Sequence, residues 1–272
     1  MVKFQTLCRS AIVIWIWNGF SALGTVYHSD GSAASVQGLH DQVLNGDTIT
    51  VPAGTFTWRT KVTISKSITL QGAGVGQTII KDSVQGAPLI QITLAASQVT
   101  RLTGIEIQDG GRTNFFYGIL TINGSSTNGA QYRMDHCKII NINGIQEIDT
   151  VIGVIDHNTI VTDNGASPPW HIHGTHWADS DFGDGSWLEP VVYGSSKFLF
   201  IEDNTFSHAT GTQSVTDGDA GARWVVRHNT LNGGYEVDNH GTESTGRPRG
   251  CRAMEIYNNT FNGDSSNRFL GG

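Results

Sequence analysis

Five segments of the chain repeat one alternation of apolar and polar positions: MDHCKI (134–139), IDHNTI (155–160), IEDNTF (201–206), VRHNTL (226–231) and IYNNTF (256–261). In each, an apolar residue leads into a short polar bend and a second apolar run follows, so the chain turns the same corner repeatedly. Asn158, Asn204, Asn229 and Asn258 align at that corner with steps of 46, 25 and 29 residues, and Cys137 takes the equivalent place 21 residues before Asn158. A period in the twenties, built from strand-forming residues, predicts a β-solenoid. The 46-residue step is then two coils, or one coil with a large loop.

One coil of this size cannot bury its own apolar face. Stacking at about 4.8 Å pairs each strand with the next coil and turns the inward residues into a continuous core. Asparagine suits the corner because it tolerates left-handed backbone angles and its amide can bond the coils above and below. These asparagines therefore read as repeated structure rather than chemistry.

Upstream, Ser32 begins a helical pattern with Val36, Leu39, Val43 and Leu44 on one face, and Gly46 stops it. GDTITVPAGTF (46–56) and VTISKSITLQGAG (62–74) follow as alternating segments punctuated by glycine and proline. A short helix, then GDTITVPAGTF, then ITLQGAG resembles the opening of pectin-lyase-like right-handed parallel β-helix proteins. With the Asn corners, the resemblance covers nearly all of residues 30 to 265. It implies an all-β fold, a right-handed parallel β-helix with three strands per coil and an amino-terminal capping helix. In that family the corner lies between the second and third strands, and the outer face of the first sheet carries the substrate groove. The segments assigned to the first sheet are GILTI (118–122), GIQEI (144–148), LEPVVYG (188–194), QSVTDGDAG (213–221) and YEVDNHGTES (235–244). The last three hold nearly all the polar chemistry.

The chain ends add two expectations. Lys3 and Arg9 lead into the apolar run Ala11 to Trp17, and Ala22-Leu23-Gly24 offers a cleavage point, so residues 1–24 read as a signal peptide and 25–272 as a single β-helix domain. The protein is then secreted, periplasmic or on the cell surface, without a membrane span after cleavage. At the other end, NGDSSNRFLGG brings no amphipathic helix or polar cap, which predicts a truncated carboxy-terminus.

Loss of Lys3 and Arg9 leaves 15 basic against 24 acidic residues, a formal charge of −9. That balance argues against nucleic acid as a partner, because nucleic-acid binding needs a basic stripe. Cys137 and Cys251 fall several coils apart, beyond the ~7 Å Cα reach of a disulfide, so neither is expected to be bridged.

Candidate chemistry gathers in the carboxy-terminal half. Asp217 and Asp219 are two residues apart, facing one way on a strand, and Asp238, His240 and Glu243 occupy the comparable stretch of the next coil. Such a group serves general acid and base work, or holds a hard cation, with calcium on Asp217 and Asp219. The alternative is that TDGDAG is a glycine-rich loop whose aspartates cap backbone donors. Of Arg247, Arg249 and Arg252, Arg249 is the choice for pairing a substrate carboxylate; the others answer nearby acids.

The insertion at 163–187 carries Trp170, Trp177 and Trp187, with His171, His173 and His176. Indoles stack on the apolar faces of sugars, so these tryptophans, with Tyr193, are the candidate substrate-binding residues. The histidines match neither HExxH nor a finger and are not assigned as ligands.

MDHC and IDHN resemble part of the pectate lyase tryptophan-isoleucine-aspartate-histidine signature, without its tryptophan; their place at the repeated corner explains them more simply. The polygalacturonase pattern is met only by Asn239-His240-Gly241. The resulting expectation is a protein acting on a polysaccharide, first a polysaccharide lyase working by β-elimination. The alternatives are a glycoside hydrolase with Asp219 and Glu243 as acid and base, and a glycan-binding surface or tail-fibre-like module.

Overall fold

The computed structural model describes residues 24–95, 98–113, 119–124, 130–140, 145–148, 151–162, 170–173, 190–218, 221–239 and 251–263. Residues 1–23 of the expected leader lie outside them. Three stacks of parallel strands make a parallel β-helix with three strands per coil. The second sheet, entering the corner, has nine strands from Val26–His28 to Ala253–Tyr257. The third sheet leaves the corner and runs from Gly54–Trp58 to Thr260–Asn262, and the first starts at Val62–Ile64. Thr205–Gly218 and Thr230–Asn239 each run unbroken from the third sheet into the first and join them by hydrogen bonds. Among the described residues no helix is long and apolar enough to cross a bilayer.

Alternation along each strand gives the core its columns. In the second sheet Ile49, Leu70, Leu102, Met134, Ile155, Ile201 and Val226 lie in register and are buried. The third sheet contributes Ile80, Ile107, Ile139, Ile160, Phe206 and Leu231, and the first Val62, Ile90, Leu120, Ile145, Ile172 and Val237. Neighbouring coils thus bury like against like, which fixes register: a slip by one residue would turn each column to solvent.

The corner divides its work between adjacent residues, and this corrects the alignment above. The left-handed conformation falls on His136, His157, Asp203, His228 and Asn258, with φ between 51° and 56°. The ladder runs through the following residue, so its last rung is Asn259, whose Oδ1 accepts the Asn229 backbone N–H at 3.0 Å. Asn158 and Asn204 are direct neighbours, the Asn158 N–H donating to Asn204 Oδ1 at 2.9 Å, so the 46-residue step is one coil. Cys137 fills the first such place. Its N–H donates to Asn158 Oδ1, and its buried thiol lies against the Asp135 and Leu102 carbonyls. Neither Cys137 nor Cys251 forms a disulfide.

The helix forms at Ala33–His40, with the Ser32 hydroxyl capping the Ser35 N–H at 3.1 Å. It ends sooner than the apolar pattern suggested, and Leu44 is 72% exposed rather than packed. The cap covers the open edge of the first coil with side chains. Gln37 takes the Thr63 N–H at 2.8 Å, His40 Nε2 the Ser65 N–H at 3.0 Å, and Asn45 the Ser67 N–H at 3.0 Å. Lys66 returns the favour, its ammonium donating to the carbonyls of His40, Asp41 and Val43 at the helix end. Edge strands left bare recruit other chains; here polar side chains occupy the bonding positions.

Candidate functional site

Register in the first sheet creates one column on its outer face. Thr63, Gln91, Thr121, Gln146, His173, Asp217 and Asp238 are successive partners from coil to coil. The inward neighbours of this column are the apolar residues Ile90, Leu120, Ile145, Ile172 and Val237, so alternation sends the column to the other side. Neighbouring members are about 4.8 Å apart along the strand stack. At the carboxy-terminal end the column brings a histidine position and two aspartates onto three consecutive coils.

A β-bulge decides which aspartate meets which. Between Ser214 and Thr216 the strand carries one residue more than its partner: Ser214 faces Glu236, Thr216 faces Val237, and Asp217 therefore faces Asp238. Thr216, turned inward and fully buried, donates its hydroxyl to the Asp238 carbonyl at 3.1 Å. Asp217 is buried at 4% exposure although its column is an outer one, while Asp238 is half-buried.

The sequence expected LEPVVYG to supply this coil of the first sheet; the rung is instead Trp170–His173, inside the insertion. WHIH alternates in register with its neighbours, Ile145 facing Ile172, and that alternation was the overlooked signal in the sequence. The segment after Glu189 instead lies against the outside of the second sheet, where Val191 and Phe200 pack on Phe198, Val225 and Ala253. Gly194 N–H donates to the Glu255 carboxylate at 2.8 Å, and Tyr193, 60% exposed, tilts against Phe198 with centroids 6.0 Å apart. Tyr193 thus belongs to the second sheet's flank and not to the column of Asp217. The physical reason is that the coil already has its first-sheet strand, leaving 190–198 to seal apolar side chains that the second sheet turns outward.

Asp217 is the one residue of the expected catalytic set that falls within the described residues. Asp219, His240, Glu243 and Arg249, with Trp177 and Trp187, lie outside them, and of Trp170 only the strand position opposite Ser214 is described. Asp219 and His240 directly follow Gly218 and Asn239, which are register partners. Among the described residues no group of three or more His, Cys, Asp or Glu side chains is placed to hold a metal ion, and calcium wants six to eight oxygens. Asp217 and Asp238 by themselves are not a calcium cage.

Arg223 begins the second-sheet strand Arg223–Arg227, and Arg252, expected to answer an acid, directly precedes the strand Ala253–Tyr257. Arg223 is buried, and burial together with the positive charge of Arg252 pulls its guanidinium below the usual arginine range. The aspartate–histidine pairs at the corner are structural. Asp135 and Asp156 are buried beneath the forks of Arg101 and Arg133, the latter at 2.8 Å, and the His136 and His157 rings stack 5.2 Å apart. Burial would raise the Asp135 carboxyl, but the Arg101 fork and Thr103 hold it below the ordinary range.

Among solved structures, the chain is similar to a PL6 family alginate lyase, AlyGC, at 12% identity and a TM-score of 0.38, with 89% of this chain matched. The chain spans 40% of that protein's length. No protein-family model matches the chain, and no curated protein matches it in sequence.

Proposed function

We propose that this is a carbohydrate-active β-helix protein that binds a polysaccharide along the outer face of its first sheet and cleaves it by β-elimination. The observation that supports this reading is the register pairing of Asp217 with Asp238, next to the His173 position on the preceding coil. Paired carboxylates and an imidazole on adjacent strands are what proton transfer at a sugar ring requires. In the proposed reaction His240, one residue past Asn239, removes the proton at C5 of a uronate. Arg249 pairs with the uronate carboxylate and stabilises the charge that develops there. The electron pair from the C5–H bond forms the C4–C5 double bond, and the C4–oxygen bond breaks. The leaving oxygen takes a proton from Asp238, which leaves Asp217 as a carboxylate. Calcium on Asp217 and Asp219 belongs to the same proposal.

A second reading, glycoside hydrolysis, is favoured by one feature. Strands about 4.8 Å apart carry Asp217 and Asp238, close to the roughly 5–5.5 Å carboxyl separation of retaining glycosidases. The two readings part in the product. Elimination yields an unsaturated sugar that absorbs ultraviolet light; hydrolysis yields new reducing ends without it. Asp217→Asn and Asp238→Asn should each lower kcat roughly 10²- to 10⁴-fold while leaving the unfolding midpoint within a few degrees. The assay is run on pectate, alginate and glycosaminoglycans with and without chelator. No ultraviolet signal on any of them would remove the lyase reading; no new reducing ends either would remove both.

A further inference from the structure

The first sheet changes chemical character along its length. Its first four strands, Val62–Ile64, Ile90–Thr93, Leu120–Asn123 and Ile145–Ile148, contain no lysine or arginine, and their sole charged residue is an acid, Glu147. The outer column there is Thr63, Gln91, the buried Thr121 and the position of Gln146, all hydroxyl or amide residues, with Asn123 alongside at half exposure. Lys61, just before the first strand, has its ammonium on Gln91 Oε1. Charge enters the column only with the last three coils, at His173, Asp217 and Asp238; Arg223 then begins one second-sheet strand and Arg252 directly precedes the next.

Four arginines outside the first sheet are committed to acids. Arg101 and Arg133 lie over Asp135 and Asp156, Arg112 over Asp82, and Arg227 over Glu202. A homopolyuronate laid along the first sheet would bring one carboxylate per sugar over this stretch, on a chain already of net negative charge, and would meet a single counter-charge, the Lys61 ammonium on Gln91 Oε1. Hydroxyls and amides both donate and accept, which matches the hydroxyl groups of an uncharged sugar.

We infer that the four amino-terminal coils of the first sheet bind uncharged sugars, so that the substrate is a polysaccharide in which uronates are separated by neutral residues, with one uronate seated at the charged coils. The stretch from Thr63 to Gln146 is three coil steps, about 14 Å, room for a short oligosaccharide. The inference rests on the reading of the first sheet as the substrate face.

The test uses the full chain and two readouts. In affinity gel electrophoresis, a mixed uronate and neutral polysaccharide should retard the protein at 50 and 250 mM salt alike. Alginate, as a homopolyuronate, should retard it at least tenfold less at equal mass. Gln91→Lys should raise retention by alginate severalfold, and Gln91→Ala should weaken retention by the mixed polymer. Cleavage of the same polymers is then compared by kcat/KM. Preferential retention by alginate, falling steeply with salt, overturns the inference even if cleavage stands. Retention by the mixed polymer without any cleavage keeps the inference and removes the proposed activity; no retention by either removes both.

Discussion

Replacing Asn204 by alanine removes the middle of the corner ladder. Asn204 is 1% exposed, and its Oδ1 accepts the Asn158 N–H at 2.9 Å and the Asn158 amide at 3.0 Å. Its own amide donates to the Ile155 carbonyl at 2.8 Å and to Asn229 Oδ1 at 3.1 Å. The substitution does not strand every partner. The Asn158 amide keeps the Met134 carbonyl at 3.0 Å, and Asn229 Oδ1 keeps the Asn204 N–H. The Asn158 N–H and the Ile155 carbonyl lose their bonds to the side chain inside the core. At about 1–3 kcal/mol for each of the two buried polar groups left unsatisfied, Asn204→Ala should cost about 2–6 kcal/mol. For a chain of this size that is a fall in Tm of roughly 4–24 °C. The comparison that gives the number meaning is Asn258→Gly. Asn258 is exposed at φ 55°, where glycine is at ease, so this change should stay within about 0.5 kcal/mol. Urea unfolding followed by far-ultraviolet circular dichroism, supported by calorimetry, measures both. Equal losses in the two variants, or a loss below about 1 kcal/mol in Asn204→Ala, would refute the division of the corner into a left-handed residue and a ladder residue.

Three further outcomes are expected. Cys137→Asn should extend the ladder, its amide reaching the Leu102 carbonyl where the thiol now lies at 3.8 Å, and should raise stability by up to about 1 kcal/mol; a lower urea midpoint contradicts this. Burial pushes the Cys137 thiol up to about 12, so iodoacetamide should modify the native protein at Cys251 well before Cys137, and equal rates by peptide mass spectrometry would count against the buried assignment. Burial, and then the charge of Lys66, hold His40 below the usual histidine range, while its Nε2 must be neutral to accept the Ser65 N–H. The unfolded chain therefore takes up the proton first as pH falls. The stability His40 contributes is intact above about pH 6.5 and is lost below it, so the urea midpoint of the wild type should drop between pH 7 and 5 more than that of His40→Gln.

Much of the molecule was legible in the residues alone because a solenoid repeats its local rules. Apolar alternation, a polar bend and a recurring asparagine are each set by neighbours in sequence, and stacking makes the same demand on every coil. Thus the capping helix at Ser32 and the unbridged Cys137 and Cys251 could be read directly, while the three-strand coil and the place of 213–218 and 235–239 in the first sheet followed from the family resemblance. What the sequence could not decide was register by a single residue. IYNNTF offers two adjacent asparagines, and only the hydrogen bond from the Asn229 N–H selects Asn259 over Asn258. The same limit governed the insertion. WHIH and LEPVVYG are both short apolar runs, and pairing with Ile145 on one side and Thr216 on the other assigns the strand to WHIH and sends Tyr193 to the flank of the second sheet. The bulge at Val215 was equally hidden, since one extra residue is invisible in composition and yet sets Asp217 opposite Asp238. Sequence determined the period because period is a sum of local preferences; the tertiary structure decided the phase, because phase exists only between strands far apart along the chain.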